Sequence, residues 1–424
     1  MLEKILNRRN IERAITAVER NHGAGGVDDR QSDELRPFVN ANCQSLLQSV
    51  LEGIYKPSPV RRVEIPKAMG GVRMLGIPTV VDRMLQQAIY QVLSPIYEED
   101  FDKHSYGFRP RKNVHQAVIT AQGYFNEGYD WIIELDLEKF FDKVNHQKLM
   151  HLLSLKVEDK GTLLLINSYL KSGIMEGGVV SQRIEGTPQG SPLSPLLSNV
   201  MLHELDQELN KRGLRFVRYA DDCSIYVKSE KSAKRVAESI IKYIESKLLL
   251  KVNREKTRIS RPQESYLLGF SFYKTKGRYE IRIGSKSINR IKTKCKRITE
   301  SSDPKSEKLK LFQLDAIIRG WVNYFRIAKA KSNMQKLDEM VRTRLRISTW
   351  RRWKRIRTRV RNLVGLDIAK AKAYMWGNTS KGPCRIAQSP ILKRTLDTKY
   401  FSKRGYVGFY NYYYRQTEAC PQLF

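Results

Sequence analysis

Asp136, Asp221 and Asp222 are the residues of this chain best suited by type and setting to do chemistry. Residues 131–142 read Trp-Ile-Ile-Glu-Leu-Asp-Leu-Glu-Lys-Phe-Phe-Asp, a short apolar run that ends on an acid. Its β-preferring residues predict a buried strand with Asp136 at its end, turning into a helix near Phe140. Residues 216–227 read Phe-Val-Arg-Tyr-Ala-Asp-Asp-Cys-Ser-Ile-Tyr-Val. Two β-like runs flank Ala220-Asp221-Asp222, the pattern of a hairpin with two acids at its tip. If that hairpin pairs beside the first strand, Asp136 and Asp221 meet at one edge of a sheet. Carboxylates gathered in this way repel unless cations sit between them. Two Mg²⁺ ions about 3.5–4 Å apart would activate a 3′-hydroxyl and stabilise a leaving pyrophosphate, and Mn²⁺ could substitute. Such a transfer needs little more from a protein than positioning and electrostatics. An Asp-Asp turn alone is usually only a turn; the two segments together carry the reading.

The elements that would position these acids belong to a chain of 424 residues, long enough for two to four domains. Its formal net charge of +33 points to a polyanionic partner, nucleic acid before an anionic membrane. No run of about 18 apolar residues suggests a membrane span. Charges occupy the start where a signal peptide would have its apolar centre. The five cysteines (43, 223, 295, 384 and 420) form no CxxC pair, and the six histidines show no zinc spacing. A reducing cytoplasm fits best.

The charge is uneven. Residues 1–270 hold 39 Lys and Arg against 34 acids, whereas residues 271–424 hold 38 against 10. A catalytic front and a nucleic-acid-gripping back is the simplest division. Leu314, Ile317, Ile318, Trp321 and Phe325 lie at helical spacing. A second helix is expected over about 341–364, with Val341, Leu345, Trp353, Ile356, Val360 and Leu363 as its apolar stripe. Arg342, Arg344, Arg346, Arg351, Arg352, Arg355, Arg357, Arg359 and Arg361 crowd the remaining faces, where they would hold phosphates. The aromatic run Phe409–Tyr414 could stack on bases or close a small core.

Tyr219-Ala-Asp-Asp222, preceded by Leu135-Asp-Leu-Glu-Lys-Phe-Phe-Asp142, resembles the palm motifs of reverse transcriptases. Further blocks follow the same order: Lys67–Pro78 as the fingers motif, His104–Pro110, Gly186–Asn199, Leu249–Lys256 and Tyr266–Phe270. Asn21–Asp28 is similar to the amino-terminal extension of group II intron proteins, and Arg319-Gly-Trp-Val-Asn-Tyr-Phe325 to their maturase region. Lys381-Gly-Pro-Cys-Arg385 and the sequence around Tyr400 are similar to class C tails. The chain thus resembles a bacterial group II intron reverse transcriptase and maturase of class C.

That resemblance implies an α+β right-hand polymerase. It places the amino-terminal extension and start of the fingers at 1–60, and the fingers and palm at 61–275. A helical thumb and maturase domain would follow at 276–365, and a small basic DNA-binding region at 366–424. Asp136 and Asp221 would hold both metals, supported by Asp222 and the main-chain carbonyl of Leu137. Lys67 and Arg73 would neutralise the triphosphate. Lys139, Phe140 and Phe141 would contact the dNTP, with Phe141 packing under the sugar to exclude a 2′-hydroxyl, although only one of the two rings need face the site. Gln189 would lie near nucleotide and template, and Lys256 would protonate the departing pyrophosphate. Arg319 would join the RNA-binding arginines.

Ser191 departs from the resemblance, standing where a second glycine is common. Its hydroxymethyl group is expected to crowd the site or to restrict a backbone of positive φ. No Cys/His pairs suggest a homing endonuclease, and no acidic cluster suggests an RNase H domain. The implied activity is RNA-directed DNA synthesis with help to intron splicing and retrohoming. The implied partners are intron RNA, an RNA template, a DNA primer or target, and dNTPs, in a bacterial cytoplasm near the nucleoid. A splicing-only RNA-binding maturase and a domesticated, defence- or retron-like enzyme are the alternatives.

Overall fold

The computed structural model describes residues 1–66 and 71–418. Lys67 therefore lies outside the described residues. The chain divides after Pro262 into two compact units.

In chain order the strands are β1 (Val60–Pro66), β2 (Val72–Ile77), β3 (Trp131–Leu135), β4 (Ile174–Glu176), β5 (Val179–Ser181), β6 (Arg215–Tyr219), β7 (Asp222–Val227), β8 (Arg258–Ser260), β9 (Phe270–Thr275) and β10 (Arg278–Ile283). The first unit holds two four-stranded sheets, ordered β2-β1-β4-β5 and β6-β7-β3-β8. The second of these is antiparallel throughout. Ile132 and Ile133 lie at its centre, fully buried between β7 and β8. Neighbouring residues of a strand point to opposite faces, so the burial of both Ile132 and Ile133 means that both faces are covered there, and 131–135 shows no strict alternation despite Glu134.

Helices cover that sheet. Ser194–Lys211 buries Leu196, Leu197, Met201, Leu205 and Leu209, and Glu230–Lys247 buries Ala233, Ala237, Ile240 and Ile244. The three- and four-residue spacing is that of a helix with one face in a core. The helix Arg8–Arg20 likewise turns Ile11, Ala14, Ile15 and Val18 onto the helix Val80–Glu98. One hydrophobic core joins these elements.

The second unit opens with the hairpin β9–β10, whose turn takes Lys276 and Gly277 through positive φ. Helices follow. The expected helix around 314–325 runs over Glu307–Phe325, with Leu314, Ile318, Val322 and Phe325 inward. The helix expected over 341–364 is two helices, Lys331–Arg352 and Ile356–Val364. Arg359 Nε donates to the carbonyl of Trp353 at 2.9 Å, across the break between them. Asp338, on the first, accepts from the Tyr406 hydroxyl and from the amides of Phe409 and Tyr410 at 2.7–2.8 Å. Its carboxylate thereby serves the free N–H groups that begin the helix Phe409–Glu418.

Candidate active site

The antiparallel register brings the acids together. Leu135 faces Cys223 and Tyr219 faces Asp222. Asp136, one step beyond Leu135, is therefore level with Asp222 at the same sheet edge. The chain between Tyr219 and Asp222 reverses in two residues, with Ala220 at φ 57°. A non-glycine residue in this left-handed region costs about 1–3 kcal/mol and persists only where the surroundings hold it. Beyond β3 the strand keeps a partner: the Asn253 amide donates to the Asp136 carbonyl and the Glu138 amide to that of Lys251, both at 2.8 Å. This bridge pairs Leu137 with Val252, and neither of its bonds uses the Leu137 carbonyl.

The acids interact. Burial first, then the negative charge of Asp136, raises the Asp221 carboxyl, while its own amide, Arg73 and Arg218 oppose the rise. Asp222 is pushed up to about 6 by desolvation, then by Asp221, Asp136 and Glu134. The Lys256 ammonium lies 3.7 Å from Asp136 Oδ2. Among the described residues no group of three His, Cys, Asp or Glu side chains converges closely enough to hold a metal ion. The donors nevertheless suit Mg²⁺. It prefers hard oxygens, keeps several waters, and takes one or two carboxylates together with substrate phosphates. Mutually repelling carboxylates are what such a cation would relieve.

A cavity of about 1480 Å³ opens over these acids, lined among others by Arg73, Lys139, Phe141, Gln189, Lys256 and Ser191. Arg73 is carried on β2, opposite Ile65. The Gly76 amide, on the same strand, donates to the Gln189 carbonyl at 2.7 Å. Gly190 has φ 109°, and a Cβ there would lie 2.9 Å from the Gly76 carbonyl oxygen. The loop carrying Gln189 is thus locked to the strand carrying Arg73, and only glycine permits the contact.

The adjacent phenylalanines have separate places. Phe140 is 2% exposed and packs edge-on against Phe141, so it belongs to the core. It nevertheless also lines the cavity, beside Phe141. Phe141 is half-buried and lines the cavity, and its carbonyl accepts from the Thr187 amide at 2.6 Å. Lys139 is exposed at the cavity rim with φ 47°. Of the two effects expected of Ser191, the backbone one is corrected: the positive φ belongs to Gly190, not to Ser191, while Ser191 does line the cavity. The Ser191 hydroxyl instead meets that of Ser194 at 2.9 Å and the Ser194 amide at 3.3 Å, at the start of the helix Ser194–Lys211. The N-cap residue of that helix is Leu193, which offers no side-chain bond, so the Ser191 hydroxyl serves the first amide of the helix from outside the cap position.

Residues 65–272 match the family Reverse transcriptase (RNA-dependent DNA polymerase), and residues 288–364 match Group II intron, maturase-specific domain. Protein YkfC of Escherichia coli (strain K12) is 33% identical over 311 residues, which cover 64% of this chain and 82% of that protein. The group II intron-encoded protein LtrA of Lactococcus lactis subsp. cremoris is 30% identical over 368 residues, 70% of this chain and 59% of LtrA. An uncharacterized 91 kDa protein in the cob intron of Schizosaccharomyces pombe is 39% identical over 162 residues, 38% of this chain and 20% of that protein. The chain belongs to the group II intron-encoded reverse transcriptase and maturase family.

In this reverse transcriptase and maturase the basic residues of the second unit fall into two classes. Arg346 is buried, and its Nε donates to the Leu396 carbonyl at 3.0 Å. Burial removes it from the expected RNA-binding set. Arg344 donates to Thr299 Oγ1 and to the Lys296 carbonyl, and Arg342 to Thr398 Oγ1. Arg359 lies 4.7 Å from the Trp350 ring. These arginines join helices to one another. Arg352 pairs with Glu307, and Arg319 pairs with Asp315 at 2.8 Å while lying over the Tyr412 ring. Arg351, Arg355 and Arg357 are exposed.

Sequence pattern did not single out the helix Ser285–Ile298, although it carries no acid and exposes Lys286, Arg290, Lys294 and Arg297. Their spacing by three or four was the available signal. The aromatic run divides as well. Phe409 and Tyr413 close a core, and the Tyr413 hydroxyl donates to the Ala328 carbonyl. The exposed Tyr414 and the half-exposed Tyr410 and Tyr412 do not. No helix among the described residues is long and apolar enough to cross a membrane.

Proposed function

We propose that the first unit synthesises DNA on an RNA template by nucleotidyl transfer assisted by two divalent cations, Mg²⁺ in the first instance. The observation that carries this is the single sheet edge on which β3 and the β6–β7 hairpin present Asp136, Asp221 and Asp222 beneath a cavity reached by Arg73 and Phe141. Asp136 and Asp221 would hold the cations, with Asp222 and the Leu137 carbonyl in support. When bound, they supply charge neutralisation and an activated 3′-hydroxyl.

The chain's own residues do the remaining work. The Arg73 guanidinium, assisted by Lys67 and Lys139, takes up charge on the triphosphate oxygens as the leaving group departs. The Phe141 ring supplies bulk under the sugar and leaves no room for a 2′-hydroxyl. Gln189 offers an amide donor and acceptor to the nucleotide and template. Lys256 gives its proton to the departing pyrophosphate and is within reach of the Asp136 carboxylate before substrate enters.

The second unit binds the folded intron RNA through its exposed cations, chiefly Arg351, Arg355, Arg357 and the basic face of Ser285–Ile298, and stabilises the splicing-competent RNA without itself doing chemistry. Splicing, followed by target-primed reverse transcription during retrohoming, is the resulting activity. Within the family we assign the chain to class C on Lys381–Arg385 and the sequence around Tyr400.

The test is primer extension by the purified protein on an RNA template with dNTPs and Mg²⁺. Wild type makes cDNA, and Asp221→Ala loses it. Synthesis that survives this substitution refutes the assignment of the acids.

A further inference from the structure

Behind the acidic turn lies a fully buried ion pair. Arg218 Nε and Nη2 donate to the two carboxylate oxygens of Asp206 at 2.7 and 2.6 Å, and both side chains are completely shielded from solvent. The fork is thus spent on one face, and Arg218 Nη1 is left to reach two further acceptors. It donates to Asn199 Oδ1 at 2.9 Å and to the Ala220 carbonyl at 3.0 Å. Ala220 is the left-handed residue of the turn, immediately before Asp221.

Asn199 carries the chain of contacts onward. Its Nδ2 donates to the Gly107 carbonyl at 2.9 Å. Gly107 packs directly against the turn, because a Cβ built there would lie 2.2 Å from the Ala220 nitrogen. The preceding residues pair with β6: the Arg218 amide donates to the His104 carbonyl, and the Tyr106 amide to the Arg218 carbonyl. The turn is therefore held from two sides, by a guanidinium on its carbonyl and by backbone against its amide. Asn199 ties those two sides together. Asn199 and Asp206, seven residues apart on the helix Ser194–Lys211, lie two turns apart on one face.

Mere charge compensation needs only Asp206 and a cation. The planar fork and the third and fourth contacts serve geometry. We propose that Arg218, Asp206 and Asn199 are positioning residues. They hold Ala220 in its left-handed conformation and thereby place Asp221 and Asp222 at the sheet edge. This proposal rests on the polymerase reading of those acids.

Arg218→Lys separates the two roles, since lysine keeps the charge opposite Asp206 but cannot reach Asp206, Asn199 and Ala220 together. Folding is checked by circular dichroism. Hydrogen exchange by mass spectrometry is then read on peptides spanning 216–223, alongside primer extension. Exchange at the turn is expected to quicken at least tenfold, with the helix Glu230–Lys247 unchanged. At saturating dNTP, kcat is expected to fall at least tenfold with KM within twofold. A folded variant with wild-type exchange, or with faster exchange and wild-type kcat, overturns the proposal. If Arg218→Lys does not fold, Asn199→Ala leaves the ion pair intact and takes the same two readouts, and wild-type values there overturn it equally. Failure of the wild-type protein to make cDNA would sink the polymerase reading, while the exchange measurement would still decide whether the turn is clamped.

Discussion

The carboxylates of Asp221 and Asp222 store an electrostatic cost in the cation-free protein that one substitution should release. The Asp222 carboxyl is pushed from 3.8 to about 6, by desolvation and then by Asp221, Asp136 and Glu134. A raised carboxyl pKa means that the folded state holds its proton more tightly than the unfolded chain. The resulting destabilisation is absent below about pH 4 and fully present above about pH 6. Taken at face value the shift is worth about 3 kcal/mol. Asp222 is solvent-exposed, however, and screening reduces this to about 1 kcal/mol. Asp222→Asn keeps the shape and cannot ionise, and it also relieves Asp221, whose carboxyl is raised in the same direction.

In EDTA, the melting temperature of Asp222→Asn minus that of wild type should be small at about pH 4 and below. It should climb to about 2–4 °C by pH 7.5, the shift that about 1 kcal/mol produces in a unit of this size. Taking the difference removes the contribution of the buried His146 and the half-buried His203, whose pKa values are lowered by desolvation and which titrate in both proteins. Adding Mg²⁺ should stabilise wild type more than the variant and so shrink the difference. Differential scanning fluorimetry across pH is sufficient. A difference that is flat with pH, or a variant less stable than wild type at pH 7.5, would refute the stored repulsion.

Phe141→Ala should raise rNTP incorporation relative to dNTP, read by competing nucleotides in primer extension, while Phe140→Ala should lower stability by about 3–5 kcal/mol through a core cavity. Unchanged sugar selectivity in Phe141→Ala would reject the gate. Gly107→Ala should destabilise the first unit by about 1–3 kcal/mol and cut cDNA synthesis, because its methyl group meets the backbone of Ala220. Replacing Arg351, Arg355 and Arg357 by Gln should weaken RNA binding and lower the slope of log affinity against log salt by about 2–3. An unaltered slope would show that this face does not touch RNA.

The acids and their sheet edge were legible because a doubly covered strand and a tight hairpin both leave local marks. One is a short run rich in apolar, β-preferring residues that ends on an acid, the other two β-like runs around a pair of acids. The locking of Gln189 to β2 was not, since it depends on a main-chain bond between segments more than a hundred residues apart. Arg218 was equally silent. An arginine inside Phe-Val-Arg-Tyr reads as an outward-facing residue until Asp206 is known to face it. The break at 353–355 carries no proline or glycine, and the apolar stripe continues across it in helical register. Contacts from the second helix back to Trp353 and Trp350 hold the break, and those are tertiary. Phe141 was set apart from Phe140 only through the resemblance, because neighbouring residues at the start of a short helix diverge only once the core beneath them exists.

The charge of the second unit also takes on a different meaning. Of 38 Lys and Arg against 10 acids beyond residue 270, several arginines serve as internal crosslinks. Arg342, Arg344, Arg346 and Arg359 hand their donors to carbonyls, hydroxyls or rings of neighbouring helices. A guanidinium can do this where apolar contacts are sparse, since five N–H donors can satisfy several helix ends at once. Such residues have donors committed inside the unit, although their charge still contributes to the long-range field. Electrostatic attraction of RNA should therefore reflect the whole excess charge, whereas the number of counterions released on binding should reflect only the exposed subset. Association rates and the salt dependence of affinity would then report on different residues: neutralising a buried crosslink disturbs the fold, and neutralising Arg355 or Arg357 disturbs only the grip.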